Sequence, residues 1–237
     1  MTSHRLPRLS ASTVSVLVLV GAISAALAIR IGWPFSNVVG DGSVWFREMD
    51  GWYHMRLVDR LLANFPHTTP FDPFSFYPHG IEPPFHPLTR WLIALGAMVA
   101  GGRTPAPETV DLVGALYPAI LGTLTLVPAF VIARRLAGPL AAAIAAIVLA
   151  TMPGEFLSRS LFGFTDHHMT EAFFSTVTLL FLLLAAQAAT EQPVTVSHGL
   201  RLRVLASRRT IVYSIAAGIS LGLYLVGWRG GLMLLAI

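Results

Sequence analysis

The hydrophobic pattern divides the chain into long uncharged runs and one extended polar, proline-rich stretch. Crossing the hydrocarbon core of a bilayer takes roughly 20 apolar residues in a helix. Five runs reach that scale: Ser10 to Ile29, Leu112 to Ala133, Leu136 to Gly154, Ala172 to Thr190 and Thr210 to Trp228. A sixth, Trp91 to Gly102, is uncharged for only 12 residues, too short to span, and reads as interfacial or re-entrant. The pattern predicts an all-α membrane protein, a multi-span helical bundle of about five transmembrane helices. Arg5 and Arg8 before the first run, and Ala26-Leu27-Ala28 near its end, are signal-peptide features. The run exceeds the usual apolar region of roughly 7–15 residues, so it is read as a span.

Between the first two spans lies 31–111, which holds ten of the sixteen prolines and eight of the twelve acids. A long ordered loop of this kind is usually functional. Within it Glu48 to Phe65 is predicted helical. Pro66, Pro70, Pro73, Pro78, Pro83, Pro84 and Pro87 then impose extended and turn structure. The predicted organisation is a first span at 10–30, a long first external loop at 31–111 and four further spans in 112–237.

Composition agrees. The chain of 237 residues is 54% hydrophobic and 12% charged, against about 25% charged in ordinary soluble domains. With no cysteine, disulfides and thiolate chemistry are excluded. All sixteen basic residues are Arg, which removes Schiff-base chemistry. The net charge of +4 is a topology signal, with no nucleic-acid partner implied. Excess Arg in short loops marks the cytoplasmic side. Five spans put Arg5 and Arg8, Arg134-Arg135, and Arg201, Arg203, Arg208 and Arg209 all on that side. The acidic loop then faces the extracytoplasmic side, together with the connection between the third and fourth spans.

Two segments on that face carry chemistry. In the first, Asp50 and His54 are four apart and share a helix face; taken alone, Asp50 is better explained as a carboxylate favoured by a helix N-terminus. The second runs from Ser158 to Glu171. Asp166-x-His168 offers a carboxylate and an imidazole to a divalent cation, oxygen suiting Mg²⁺ and Mn²⁺ and imidazole being better tolerated by Mn²⁺. Capping of the next helix by Thr165 or Asp166 is the alternative. Arg159, near the end of an apolar span, either snorkels or pairs with a carboxylate or phosphate. Six of the eight histidines, including His79, His86, His167 and His168, fall on this face, where one or two could bind an anionic head group. Glu155 and Glu171 are weaker candidates, and either could be a solvated helix-end charge.

Together these motifs resemble the catalytic subunit of oligosaccharyltransferase, in a bacterial or archaeal-like form. The resemblance covers about residues 10–237. It rests on Asp50-Gly51-Trp52-Tyr53-His54-Met55-Arg56, on Phe71-Asp72-Pro73 with Tyr77-Pro78-His79-Gly80, and on Pro153 with Ser158-Arg159-Ser160, Gly163, Asp166 and His168. Trp228-Arg229-Gly230-Gly231 matches a Trp-Gly-Gly-like turn with an Arg inserted.

The resemblance implies a GT-C-like fold and transfer of an oligosaccharide from a polyprenyl-phosphate or -pyrophosphate carrier to Asn of Asn-x-Ser/Thr in an acceptor protein or peptide. It implies Mn²⁺ or Mg²⁺ held by Asp50, Asp166 and His168, with Asp50 also hydrogen-bonding the acceptor amide and Arg159 in support. His167, His79 or His86 would contact the carrier phosphates, with Trp228 nearby. The site would lie at the membrane boundary, among lipids, on the extracytoplasmic face of a multi-pass cell-membrane protein.

Family members are longer. They add an external loop with a Glu and a soluble C-terminal domain with a WWDYG motif, absent from these 237 residues. The chain is therefore expected to be an N-terminal portion, a split product completed by a separate chain, or a degenerate paralogue. Other readings are a protein mannosyltransferase, whose first loop usually carries an Asp-Glu pair, and a transporter or non-catalytic assembly subunit. A transporter would favour ionisable groups in mid-span, and the five runs contain none.

Overall fold

The computed structural model describes residues 10–83, 87–191, 207–228 and 230–232. Among these the chain is nearly all helix: α1 (Ala11–Leu27), α2 (Phe35–Val38), α3 (Met49–Ala63), α4 (Leu88–Gly101), α5 (Pro107–Leu124), α6 (Leu126–Thr151), α7 (Glu155–Arg159), α8 (His168–Thr190) and α9 (Arg208–Gly227). One two-stranded hairpin, β1 (Val39–Gly40) with β2 (Ser43–Val44), follows α2.

Four stretches are long and apolar enough to cross a membrane: Ala11–Val38, Pro107–Thr151, His168–Thr190 and Arg208–Gly227. Their outward faces stay apolar, with Leu17 and Val20 on α1, Leu140 and Ile144 on α6, Leu182 on α8 and Ile215 and Ile219 on α9 all exposed. Helices apolar all round belong in lipid, and the chain is a membrane protein. Their starts are built by sequence: the Ser10 side chain accepts from Thr13 N at 3.1 Å to open α1, and Ser207 does the same for Thr210 N at 3.1 Å to open α9.

The second stretch, of 45 residues, would be roughly 67 Å long if straight, about twice a hydrocarbon core. Gly138 breaks it, with φ 84° and ψ −174°, immediately before Pro139. Its two legs double back. Leu149 and Ala150 at the far end bond the Arg30 guanidinium, while the Arg30 and Ala115 carbonyls bond the successive amides of Phe162 and Gly163. Residues 115 and 150 thus lie at one end of the bundle. Arg135 lies at the other, sharing a small cavity with Gln187, Glu191 and Arg209. The second and third expected spans fall on the two legs of this stretch, and the bend lies a few residues past Arg134-Arg135, inside the expected third run.

The segment 31–111 is more than a loop. The first helical stretch continues through a π-helical turn, Ala28–Gly32, into α2. After the hairpin, α3 and α4 pack with α5 through Met55, Val58, Leu61, Ile93, Ala94 and Ala97. The short apolar run 91–102 is helix α4, too short to span as expected, and its inner face is core. A second cluster joins Ala22 and Ala26 of α1 to Leu126, Phe130, Ala142, Ala146 and Ala150 of α6. The α8–α9 pair is the most extensive helix contact, with a Thr178–Ser220 hydroxyl hydrogen bond of 3.1 Å inside it.

Candidate metal and active site

The site is made by the loop from Ser160 to His167, and four other segments hold that loop. Pro118 sits inside α5. It has no N–H to give the Gly114 carbonyl one turn earlier. That carbonyl is therefore open, and Thr165 Oγ1 donates to it at 2.8 Å. Gly163 N donates to Ala115 O at 2.9 Å, and Gly163 O accepts from Arg47 N at 3.0 Å. Gly163 needs to be glycine: its φ is 83°, and a Cβ there would lie 2.8 Å from a Val38 methyl.

Arg30, wholly buried at the end of the first span, donates through Nε to Ser160 Oγ at 2.8 Å, through Nη1 to Ala150 O at 2.9 Å and through Nη2 to Leu149 O at 2.9 Å. Those carbonyls belong to the last turn of α6, where the helix supplies no N–H of its own. Beneath the site, Thr89 and Tyr117 share the Thr170 hydroxyl, fastening α4 and α5 to the first turn of α8. The Ser160, Gly163 and Thr165 positions of the motif are thus explained by packing, which leaves Asp166 for chemistry.

Asp166 is buried, and its two oxygens face different groups. Oδ1 takes the His167 backbone N at 2.5 Å and the His167 ring through Nδ1, and lies 3.4 Å from His54 Nε2. Oδ2 lies 3.1 Å from His168 Nε2 and 3.8 Å from Arg159 Nη1. Glu171, one turn into α8, places Oε1 3.0 Å from His167 Nε2 and 3.6 Å from His168 Nδ1. Burial opposes the ionised form of Asp166, but hydrogen bonds from His167 and His54 outweigh it and hold the carboxyl well below the usual range. Burial likewise opposes a charged His167, yet its bonds to Asp166 and Glu171 lift that imidazole to about 9. A carboxylate lies near each ring nitrogen of His167, which favours the charged form of the imidazole.

Two groups of three side chains have donor atoms close enough to hold a metal ion: His54, Asp166 and His167, and His167, His168 and Glu171. Because His167 is engaged at both nitrogens, the donors that suit a cation are Asp166 Oδ2 and His168 Nε2. Their separation fits. Adjacent ligands of an octahedral ion at about 2.1 Å are about 3 Å apart. His168 is the partly exposed partner, at 31%, so that edge opens outward.

Asp50 is exposed, in the first turn of α3. It lies one turn before fully buried His54, on the same face, but makes no contact with Asp166 or His168 among the described residues. Arg159 joins the cluster, pairing with both Glu155 and Asp166. With Arg47, Asn37, Glu48 and Ser158 it lines a cavity of about 520 Å³. Trp228 ends α9 against Tyr224, and neighbouring Gly227 approaches Thr170 of α8. His79 is exposed, on the segment 31–111. His86 lies outside the described residues.

The structure bears on two readings that the sequence leaves open. Glu171 is a buried-side partner of both histidines, because the first turn of α8 faces the loop instead of solvent. Thr165 does not cap α8, because its hydroxyl is spent on Gly114 O; among the described residues the backbone N–H that Asp166 accepts is that of His167, the residue that precedes the helix. His54 carried only a weak signal, its four-residue spacing from Asp50.

The segment 31–111 carries a second buried carboxylate. Asp72 forms a two-pronged pair with Arg56, accepts from Ser75 Oγ at 2.7 Å and Phe74 N at 3.2 Å, and lies 3.6 Å from Arg60. The Arg56 guanidinium also stacks over Tyr53 and Phe74.

Comparison with known proteins places these features in one group. The family profile described as Oligosaccharyl transferase STT3, N-terminal, matches residues 16–237. The chain is 36% identical over 223 residues to dolichyl-phosphooligosaccharide-protein glycotransferase 3 of Archaeoglobus fulgidus, covering 94% of this chain and 24% of that protein. It is 34% identical over 205 residues to the glycotransferase AglB of Haloferax volcanii, covering 86% of this chain and 19% of that protein.

Among solved structures, the chain resembles A. fulgidus AglB in complex with an inhibitory peptide and a dolichol-phosphate. The TM-score is 0.81 at 34% identity, over 93% of this chain and 24% of that one. It also resembles an A. fulgidus oligosaccharyltransferase complex with Zn and sulfate, with a TM-score of 0.78 at 34% identity, over 92% of this chain and 26% of that one. The chain spans about a quarter of the length of these relatives.

Proposed function

Since this chain belongs to the oligosaccharyl transferase STT3 family, we propose that it supplies the carrier-binding and metal-binding part of an enzyme that glycosylates Asn in Asn-x-Ser/Thr. The donor is an oligosaccharide on a polyprenyl-phosphate or -pyrophosphate, and the active face is extracytoplasmic. The observation that carries the reading is the Asp166 Oδ2 to His168 Nε2 edge of 3.1 Å, set at the membrane end of α8. In this reading recognition of the sequon's Ser or Thr falls to residues outside the 237, in the same protein or a separate chain.

The reaction has two difficulties: an amide nitrogen is a poor nucleophile, and a phosphate must leave as an anion. A bound divalent cation, Mn²⁺ or Mg²⁺, would supply Lewis-acid stabilisation of that anion. Asp166 and His168 would hold it, with Asp50 reaching in from the first turn of α3. Asp50 also offers a carboxylate oxygen to the acceptor amide N–H. Arg159 steadies Asp166 Oδ2, and its position on the cavity shared with Arg47 suits it to an anionic group. His167, locked between Asp166 and Glu171, keeps the Asp166 carboxylate ionised and turned toward the cation. His79, His86 and Trp228 are assigned to the face that the carrier head group approaches from the bilayer.

The test is carrier binding by the purified chain in lipid nanodiscs. A fluorescent polyprenyl-phosphate oligosaccharide should bind more tightly with Mn²⁺ present. Polyprenyl phosphate should compete and polyprenol should not. Binding that is indifferent to Mn²⁺ and to Asp166→Asn, or that polyprenol competes equally well, would overturn the reading.

A further inference from the structure

Helix α8 has 23 residues, so its ends stand roughly 34 Å apart, about the thickness of one hydrocarbon core. Its His168 end carries the candidate site, and its Thr190 end therefore reaches the opposite membrane boundary. Two cavities adjoin there. One, of about 50 Å³, is lined by Arg135 of α6, Gln187 of α8, Glu191 and Arg209 of α9. The other, of about 370 Å³, is lined by Glu191, Ser207, Arg208 and Arg209. Glu191 and Arg209 border both, so the two form one groove where the end of α8 meets the start of α9.

Three arginines converge on this groove from two helices, against the single acid Glu191. Among the described residues none of the three is paired with a carboxylate. Arg56, Arg60 and Arg159, in contrast, each stand beside one. The groove is thus cationic and unneutralised, and the N-terminal end of the α9 dipole adds to its positive potential. The surface running from it into the bilayer is apolar. Arg208, Ile211, Val212, Ile215 and Ile219 follow one face of α9, at i, i+3, i+4, i+7 and i+11, and all five are exposed. A phosphate at the arginines with hydrocarbon chains along the isoleucines uses the whole face; a free phosphate would use only its charged end.

We propose that this groove binds the head group of an anionic phospholipid, with Arg135, Arg208 and Arg209 on the phosphate and the acyl chains along the exposed face of α9. Basic pockets between membrane helices take such head groups. The proposal requires only that the chain sits in a bilayer, and it is independent of the cation site at the other end of α8.

The test titrates phosphatidylglycerol into the purified whole chain and follows bound lipid by native mass spectrometry, with phosphatidylcholine as the zwitterionic control and inorganic phosphate as competitor. One phosphatidylglycerol should bind in preference to phosphatidylcholine, and an equal concentration of inorganic phosphate should not displace it. Arg135→Gln, Arg208→Gln and Arg209→Gln should each weaken that binding about fivefold. Glu191→Gln removes the acid beside the arginines and should tighten it about two- to fivefold, a gain that misfolding does not produce. Arg103→Gln, an equal loss of charge in the turn before α5, should leave it unchanged. Equal binding of the two lipids, a preference indifferent to the arginine variants and to Glu191→Gln, displacement by inorganic phosphate, or an equal loss in Arg103→Gln would each overturn the proposal. None of these outcomes bears on Mn²⁺ binding at Asp166, which is measured separately.

Discussion

Asp72 and Asp166 are both buried carboxylates with cationic neighbours, yet the two regions around them are built for different ends. Asp72 is saturated. Arg56 takes both of its oxygens, Ser75 and Phe74 add hydrogen bonds, and Arg60 stands close. Its cationic partners are arginines, strong donors with no lone pair to share, so no cation is drawn to it. Asp166 is surrounded by imidazoles, which can donate protons or serve as ligands themselves, and its Oδ2 edge opens through partly exposed His168. The clasp is also local, joining residues 16 and 19 apart in sequence. The Asp166 loop is held by Arg30, Arg47, Gly114 and Ala115 from distant segments. A buried carboxylate closed by arginines staples a loop; one left open among histidines, on a loop held from afar, is a site.

The largest effect expected from breaking this contrast is on metal affinity. Asp166→Asn should weaken Mn²⁺ binding at least about 100-fold, close to 2.7 kcal/mol. Asp72→Asn should change it less than about twofold, and calorimetric titration of both variants checks the pair. Next comes Gly163→Ala, which forces a side chain into a positive-φ position against Val38. It should cost about 1–3 kcal/mol in thermal unfolding and weaken Mn²⁺ binding as Asp166 shifts.

Third, Asp72→Asn should lower stability by about 1–2 kcal/mol, between the values of exposed and buried pairs. This deficit has a definite pH dependence. The hydrogen bond from Arg56, opposed by burial and aided by Ser75 and Phe74, holds the Asp72 carboxyl well below its ordinary value. A depressed carboxylate stabilises the folded state above its unfolded pKa of roughly 4 and loses that effect as pH falls below it. The stability gap between wild type and Asp72→Asn should therefore narrow as melts are taken from pH 6 to pH 3. The smallest effect is Thr165→Val, which leaves Gly114 O without its partner and should cost about 1 kcal/mol, read from the same melts.

Much of the fold is legible in the sequence because lipid-crossing helices need long apolar runs, and these are visible without tertiary information. The Arg-rich turn is a local feature for the same reason, whereas the bend itself falls at Gly138-Pro139, inside the run read as the third span. The Asp166-x-His168 pair is legible because both residues sit within three positions of one loop. Arg30 is not: its partners are backbone carbonyls about 120 residues away, and a lone Arg after an apolar run looks like any membrane-edge charge. Glu171 is only a weak candidate in the sequence for a related reason. A glutamate in the first turn of a helix is ordinarily solvated, and only the docking of α8 against the loop turns it inward. Arg56 and Asp72 belong to quoted motifs, but no pattern announces that they pair.

The account stands most directly on a cation held at the Asp166–His168 edge. Mn²⁺ titrated into the wild-type chain in nanodiscs, followed by pulsed EPR, measures this. One bound ion with a histidine nitrogen coupling, lost in His168→Ala and unbound in Asp166→Asn, is the predicted result. A chain of native helicity that binds no Mn²⁺, or whose nitrogen coupling survives His168→Ala, would contradict it.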